Sequence, residues 1–133
     1  MISGKNQIGD ELSSNSNISF QTFNPKLNIE NKITFFEASD SEILKATKLA
    51  SNAFRTFKLV AANERSAFLT QISEELKLIS EDITKIYCSE TGLPEARCLG
   101  ELGRTINQLI SFSKLIRDGD YHEISIDTSI PDR

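Results

Sequence analysis

The chain has 133 residues, 38% hydrophobic and 26% charged, with a formal net charge of -4, the make-up of a soluble globular protein of about one domain's length. Fifteen Lys and Arg scattered among nineteen Asp and Glu argue against a nucleic-acid partner, which needs clustered cations. No apolar run approaches the roughly 20 residues of a membrane span, and two cysteines behind a start without leader character point to a reducing cytoplasm rather than export.

The first thirty residues are dense in Ser, Asn and Gly and hold short β-prone groups. Strands are predicted around Asn6 to Leu12 and Ile18 to Phe23, with the turn-rich Ser13-Ser14-Asn15-Ser16-Asn17 joining them as a hairpin and Asn24-Pro25 ending it. A further β-prone group, Ile33 to Phe36, precedes Ser39, which with Glu42 forms a capping box opening the first helix. Ile43, Ala46, Ala50, Ala53, Phe54 and Phe57 recur at spacings of three and four, so they are expected to bury one stripe.

Asn63 is placed to cap a second helix carrying Phe68, Ile72, Leu76 and Ile79, and Ser80 to open a third carrying Ile83, Ile86 and Tyr87. Gly92 ends the third helix in the left-handed conformation, and Pro94 suits the first turn of a fourth. That fourth helix is long: Leu99, Leu102, Ile106, Leu109, Ser113 and Ile116 make a narrow packing stripe, and Gly119 closes it. Tyr121 to Ile126 alternates like a strand.

Few residues offer chemistry. Cys88 and Cys98 lie ten apart on different helices and His122 on the last strand, a spacing that fits no metal site and no nucleophile-base pair; packing roles are expected. Gly100 and Gly103 beside Arg104-Thr105 superficially suggest a phosphate cradle, but such a loop needs a strand before it and a helix start after it, and these glycines fall inside a helix. Each costs the helix about 1 kcal/mol relative to Ala, so a close backbone neighbour or a bound group is expected to compensate, with packing favoured. Gly100, Arg104 and Gln108 share one line opposite the apolar stripe. Arg104 is then either a solvated cation, the commoner case, or a guanidinium aimed at a substrate carboxylate. The adjacent acids Glu74-Glu75 and Glu81-Asp82 point about 100 degrees apart on their helices and read as solvated faces.

Taken in order, Phe23-Asn24-Pro25, the capped Ala-rich helix ending Ala53-Phe54, the opening Glu64-Arg65-Ser66-Ala67-Phe68-Leu69, and Glu90-Thr91-Gly92-Leu93-Pro94-Glu95-Ala96 resemble the start of aldehyde dehydrogenases over nearly the whole chain. Ile2-Ser3-Gly4-Lys5-Asn6-Gln7-Ile8-Gly9 and Gly103-Arg104-Thr105-Ile106-Asn107-Gln108-Leu109 look most like the 2,5-dioxovalerate (α-ketoglutaric semialdehyde) dehydrogenases. Leu93, where the family usually has Lys, and the absence of Trp depart from the pattern without touching a catalytic function.

The resemblance implies an α/β fold of the aldehyde dehydrogenase kind, of which this piece is an N-terminal β-hairpin followed by four amphipathic helices and a terminal strand. Residues 1–119 would be the hairpin and helical part of an incomplete cofactor-binding domain, and 120–133 the start of an oligomerisation-arm strand. The complete enzyme would use NADP or NAD, pass an aldehyde through a Cys thiolate and a thioester to a carboxylate, and assemble as a homo-oligomer with the remainder of the chain. The family's Asn, Glu and Cys motifs are not in this sequence, so no catalytic, cofactor-binding or metal residue and no cofactor is expected here. Cys88 and Cys98 inherit no role. Arg104, and behind it Gly100, would face the substrate entrance, where an acidic semialdehyde would meet the guanidinium. The chain alone is expected to be inactive, with apolar surface left bare, dye-binding or self-associating. The alternatives are a stand-alone helical interaction module or pseudoenzyme remnant pairing through the 121–126 strand and, far behind, a small enzyme using His122 and a cysteine.

Overall fold

In the computed structural model, which describes residues 3–124, four short strands precede four helices. β1 (Asn6–Ile8) and β2 (Glu11–Ser13) form one antiparallel hairpin, and β3 (Ser19–Asn24) and β4 (Ile29–Phe36) form a second. The helices are α1 (Asp40–Phe57), α2 (Ala62–Leu78), α3 (Ser80–Thr91) and α4 (Glu95–Asp118), followed by a 3-10 turn at Asp120–His122.

Strands fall in the expected stretches, but the single strand expected over Asn6 to Leu12 is itself a hairpin, β1 with β2, and the stretch around Ile18 to Phe23 pairs with β4 instead. Ile8 faces Glu11 across a two-residue loop, with Gly9 at φ 61, the conformation a tight hairpin asks of its first loop position. Asn24 ends β3 as expected, and it also opens the loop of the second hairpin: its side-chain oxygen accepts from the Lys26 and Leu27 amides at 3.1 and 3.0 Å, and Asn28 completes the reversal at φ 56. Ser13–Asn17 therefore connects two hairpins rather than closing one. Turn-rich composition marks a break in a strand, but it does not say which strand comes back to pair.

Ser39 caps α1 as expected, with both halves of the capping box in place. The stripe expected to be buried behind it stays largely exposed among the described residues: Ile43, Phe54 and Phe57 are 50, 63 and 45% exposed. Its one buried residue is Glu42. α1 leans on β1, and Phe57 meets Phe68 of α2 edge-on with ring centroids 5.9 Å apart.

α2 and α4 form the main packed pair, and α3 lies against α4. The α4 stripe packs largely as the spacing predicts, with Leu102, Ile106 and Ser113 buried and Leu99 left half-exposed. Small hydroxyl residues let the two helices approach. The Ser113 hydroxyl lies 2.8 Å from both Ser66 Oγ and Thr70 Oγ1 and donates to the Ser66 carbonyl at 2.9 Å. The hydroxyls of Ser66, Thr70 and Ser113 are all partnered, so their burial carries little penalty.

The helix ends differ in detail from expectation. Asn63 is already inside α2, whose cap position is Ala61 with no side-chain bond, and Ser80 is the first residue of α3 after Ile79. Pro94 is the cap of α4 rather than a member of its first turn. Gly92 ends α3 at φ 69, where its amide donates to the Cys88 carbonyl at 3.0 Å, and a side chain there would press on Pro25. The strand expected over 121–126 begins as the 3-10 turn, with the Tyr121 and His122 rings tilted by 38° and their centroids 4.0 Å apart; residues 125–126 lie outside the described residues.

Candidate functional site

The outer face of α4 carries the residues that sequence pointed to. Arg104 is 75% exposed, and its Nη1 lies 3.6 Å from Glu101 Oε2, beyond hydrogen-bonding distance. With Asn107, Gln108, Ser111, Phe112 and Leu115 it lines a shallow groove of about 480 Å³. Positively charged at one end and apolar at the other, with two carboxamides between, this surface can take an anion through the guanidinium fork. Gly100 is not part of the groove. It stands one turn before Arg104, exposed, and a Cβ there would meet nothing within 4 Å.

Gly103 is equally open, so no neighbour among the described residues supplies the close packing expected to offset the two glycines. The groove residues that sequence reading missed had a signal. From Arg104 they follow at three, four, seven, eight and eleven residues, the same helical repeat as the buried stripe. Of these, Arg104 and Gln108 lie on the line expected opposite the apolar stripe; Asn107, Ser111, Phe112 and Leu115 were missed because that line was followed only in steps of four.

A second cleft, also about 480 Å³, lies between α3 and α4, lined by Ser80, Glu81, Thr84, Lys85, Cys88, Glu95 and Leu99. Cys88 is half-buried there, whereas Cys98 is 2% exposed in the helix contact; both are free thiols. His122 is not among the cleft's lining, so Cys88 has no imidazole base beside it. Glu81 and Lys85 are bonded to each other at 2.7 Å, which holds the Glu81 carboxyl below its ordinary value and the Lys85 ammonium above its own. No group of three or more His, Cys, Asp or Glu able to hold a metal occurs among the described residues.

The most strongly perturbed acid is structural. Glu42 is 3% exposed and accepts from the Ser13 hydroxyl, from the Ser39 amide and hydroxyl at 2.7 Å each, and from the Asn15 amide at 3.3 Å. These bonds, that of Ser13 foremost, then those of Ser39, bring its pKa down to about 2 against the opposing effect of burial. All its acceptor directions face its own protein, so it ties the first hairpin to α1 and leaves nothing for a ligand.

A dinucleotide does not fit the described residues. Its pyrophosphate needs a glycine-rich turn between a strand and a helix start. The one strand-to-helix passage, β4 to α1, carries Glu37-Ala38-Ser39 and places Asp40 and Glu42 in the first turn, where they repel an anion. Both sheets are two-stranded and antiparallel, without a parallel crossover.

The aldehyde dehydrogenase family model matches residues 12–131. The chain belongs to the aldehyde dehydrogenase family. It is 33% identical over 133 residues to alpha-ketoglutaric semialdehyde dehydrogenase 2 of Azospirillum brasilense, covering 99% of this chain and 25% of that protein. It is 33% identical over 99 residues to alpha-ketoglutaric semialdehyde dehydrogenase of Acinetobacter baylyi, covering 74% of this chain and 19% of the relative. The chain thus spans about a quarter of the curated relatives it matches, in their N-terminal part.

Solved structures agree on the fold. A NAD-dependent benzaldehyde dehydrogenase from Corynebacterium glutamicum superposes with a TM-score of 0.80 at 19% identity, over 99% of this chain and 28% of that one. Betaine aldehyde dehydrogenase of Staphylococcus aureus, in complex with NAD+, gives 0.78 at 20% identity, over 99% and 27%. The α/β aldehyde dehydrogenase fold expected from the sequence is the fold of this chain's neighbours, and the β-hairpin and four helices of this part are present.

Proposed function

We propose that this chain is the N-terminal portion of an NAD(P)-dependent aldehyde dehydrogenase that oxidises an acidic semialdehyde, of the 2,5-dioxovalerate kind, to the carboxylate. The observation that carries the reading is the 33% identity running through 133 residues of a protein named for that substrate. In the complete enzyme, residues 1–119 belong to the cofactor-binding domain, 120–133 begin the oligomerisation arm of a homo-oligomer, and the whole is cytoplasmic. The cofactor and the reacting thiolate are held by other parts of the enzyme, since nothing described here fits a dinucleotide.

Within this reading Arg104 receives the substrate carboxylate. Its guanidinium is solvent-facing, makes no ion pair at hydrogen-bonding distance, and opens on a groove whose carboxamides, Asn107 and Gln108, can add further bonds. Gly100 leaves space beside it for the substrate's approach. The test is to express the reading frame continued in frame past Arg133 and follow NAD(P)H formation with 2,5-dioxovalerate and with a neutral aldehyde of similar length. Arg104→Gln should raise KM for the acidic aldehyde about tenfold, the worth of a charge-assisted pair, and leave the neutral one unchanged. Equal effects on both aldehydes would remove Arg104 from substrate recognition, and an absence of dehydrogenase activity with either would overturn the enzyme reading.

A second reading, a non-catalytic interaction module, is favoured by the bare apolar row on α1. It predicts that the 133-residue chain co-purifies with full-length dehydrogenase subunits and supports no turnover alone.

A further inference from the structure

Glu101 stands between two guanidinium groups. Arg97, Glu101 and Arg104 are spaced four and three apart on α4, so they project from one side of the helix. Glu101 Oε1 lies 2.6 Å from Arg97 Nη2, while Oε2 is 3.6 Å from Arg104 Nη1. The first distance is direct ion-pair contact; the second leaves room for the fork of Arg104 to engage something else. Glu101 is 34% exposed, less than Arg97 at 60% or Arg104 at 75%. Two cations share one anion, and the distances leave the surplus positive charge on Arg104.

We propose that Arg97 sets the anion affinity of Arg104 by occupying Glu101. The proposal rests on the reading of Arg104 as the carboxylate receptor and adds the control of that site. A ligand carboxylate and the Glu101 carboxylate compete for the same N–H groups. Without the Arg97 cation, Glu101 turns fully to Arg104, fills part of its fork and repels the incoming anion. Without Glu101 the competitor is gone, and Arg97 no longer matters. Arg97 is therefore a specificity-determining residue that touches no ligand, and its influence passes through one side chain.

A double-mutant cycle isolates this. Glutarate is titrated at low salt into the 133-residue chain, and binding is read from backbone amide shifts along α4, with the neutral diamide of glutaric acid as control. Low salt is chosen because exposed pairs are screened. R97Q should weaken glutarate about twofold and E101Q strengthen it by about as much, the size of exposed helical ion pairs. R97K should restore the original affinity, and R97Q/E101Q should bind like E101Q alone.

If R97Q weakens glutarate equally with and without Glu101, Arg97 acts through its charge at a distance and the proposal falls. It falls equally if R97Q is silent while R104Q abolishes binding. If R104Q retains binding, or the unaltered chain takes up no more glutarate than diamide, the Arg104 reading itself has failed and the proposal with it.

Discussion

The α2–α4 pair and α1 are both helical surfaces built on a repeat of three and four residues, and they are treated in opposite ways. The first pair closes through Leu102, Ile106, Cys98 and the hydroxyls of Ser66, Thr70 and Ser113, residues small enough to bring two helices together. The second presents Ile43, Leu44, Phe54 and Phe57, all at least 45% exposed, with Glu42 as its one buried residue. Periodicity states which face of a helix is to be covered. It does not state whether the cover lies in the same stretch of chain.

The largest expected effect tests that contrast directly. Ile106→Ala, at a position 8% exposed, should cost about 2–4 kcal/mol in chemical denaturation, lost transfer plus the cavity left behind. Phe54→Ala, 63% exposed, should stay within roughly 0.5 kcal/mol. Similar losses at the two sites would mean that α1 is covered after all, by self-association, and a protein-concentration dependence of the midpoint would reveal it.

Next in size is the dye response of the bare row. The chain should bind ANS strongly, and the double substitution Leu44→Glu and Phe54→Glu should remove most of that fluorescence while leaving α2–α4 helicity intact. A sharp, dye-silent, monomeric melt of the unaltered chain would contradict the exposed face.

The hairpin side offers a pH handle. Glu42 titrates at about 2 in the fold against an ordinary value of 4.5. A lowered folded pKa means that its contribution is fully present above pH 4.5 and is lost as the pH falls from there through about 2. Thermal melts across that window should show the first hairpin loosening from α1, and Glu42→Gln should flatten that part of the acid profile. An unchanged profile in Glu42→Gln would assign the acid sensitivity to other carboxylates.

Much of this fold was legible because its signals are local. The Ser39–Glu42 capping box, the left-handed Gly92 and the Leu102–Ile106–Ser113 stripe each depend on residues within about three turns of one helix. Strand pairing is not local. Ser19 meets Phe36 across seventeen positions, and nothing in Ser13–Asn17 distinguishes a linker from a hairpin loop. Asn63 carries the right side chain for a cap, yet Ala61 holds that position and Arg65 bonds back to its carbonyl. At the candidate site Arg104 and Gln108 were read from the helical wheel, and the structure places both in one groove with Phe112 and Leu115. The 3.6 Å gap between Arg104 and Glu101 was beyond sequence, because i,i+3 spacing permits a contact without saying whether Arg97 has claimed it first.

The smallest effect carries the sharpest comparison between this chain and the complete dehydrogenase proposed for it. Gly100→Ala should stabilise the 133-residue chain by about 1 kcal/mol, since a helix interior prefers Ala by that much and the added Cβ meets nothing within 4 Å. If Arg104 receives the substrate as proposed, the same methyl in the complete dehydrogenase stands where the substrate approaches it, so KM for the acidic aldehyde should rise while the stability gain persists. Stabilisation in both settings without a change in KM would mean that the open space at Gly100 is only open space. Destabilisation of the complete enzyme alone would instead place another backbone against Gly100, the close packing that the described residues do not supply.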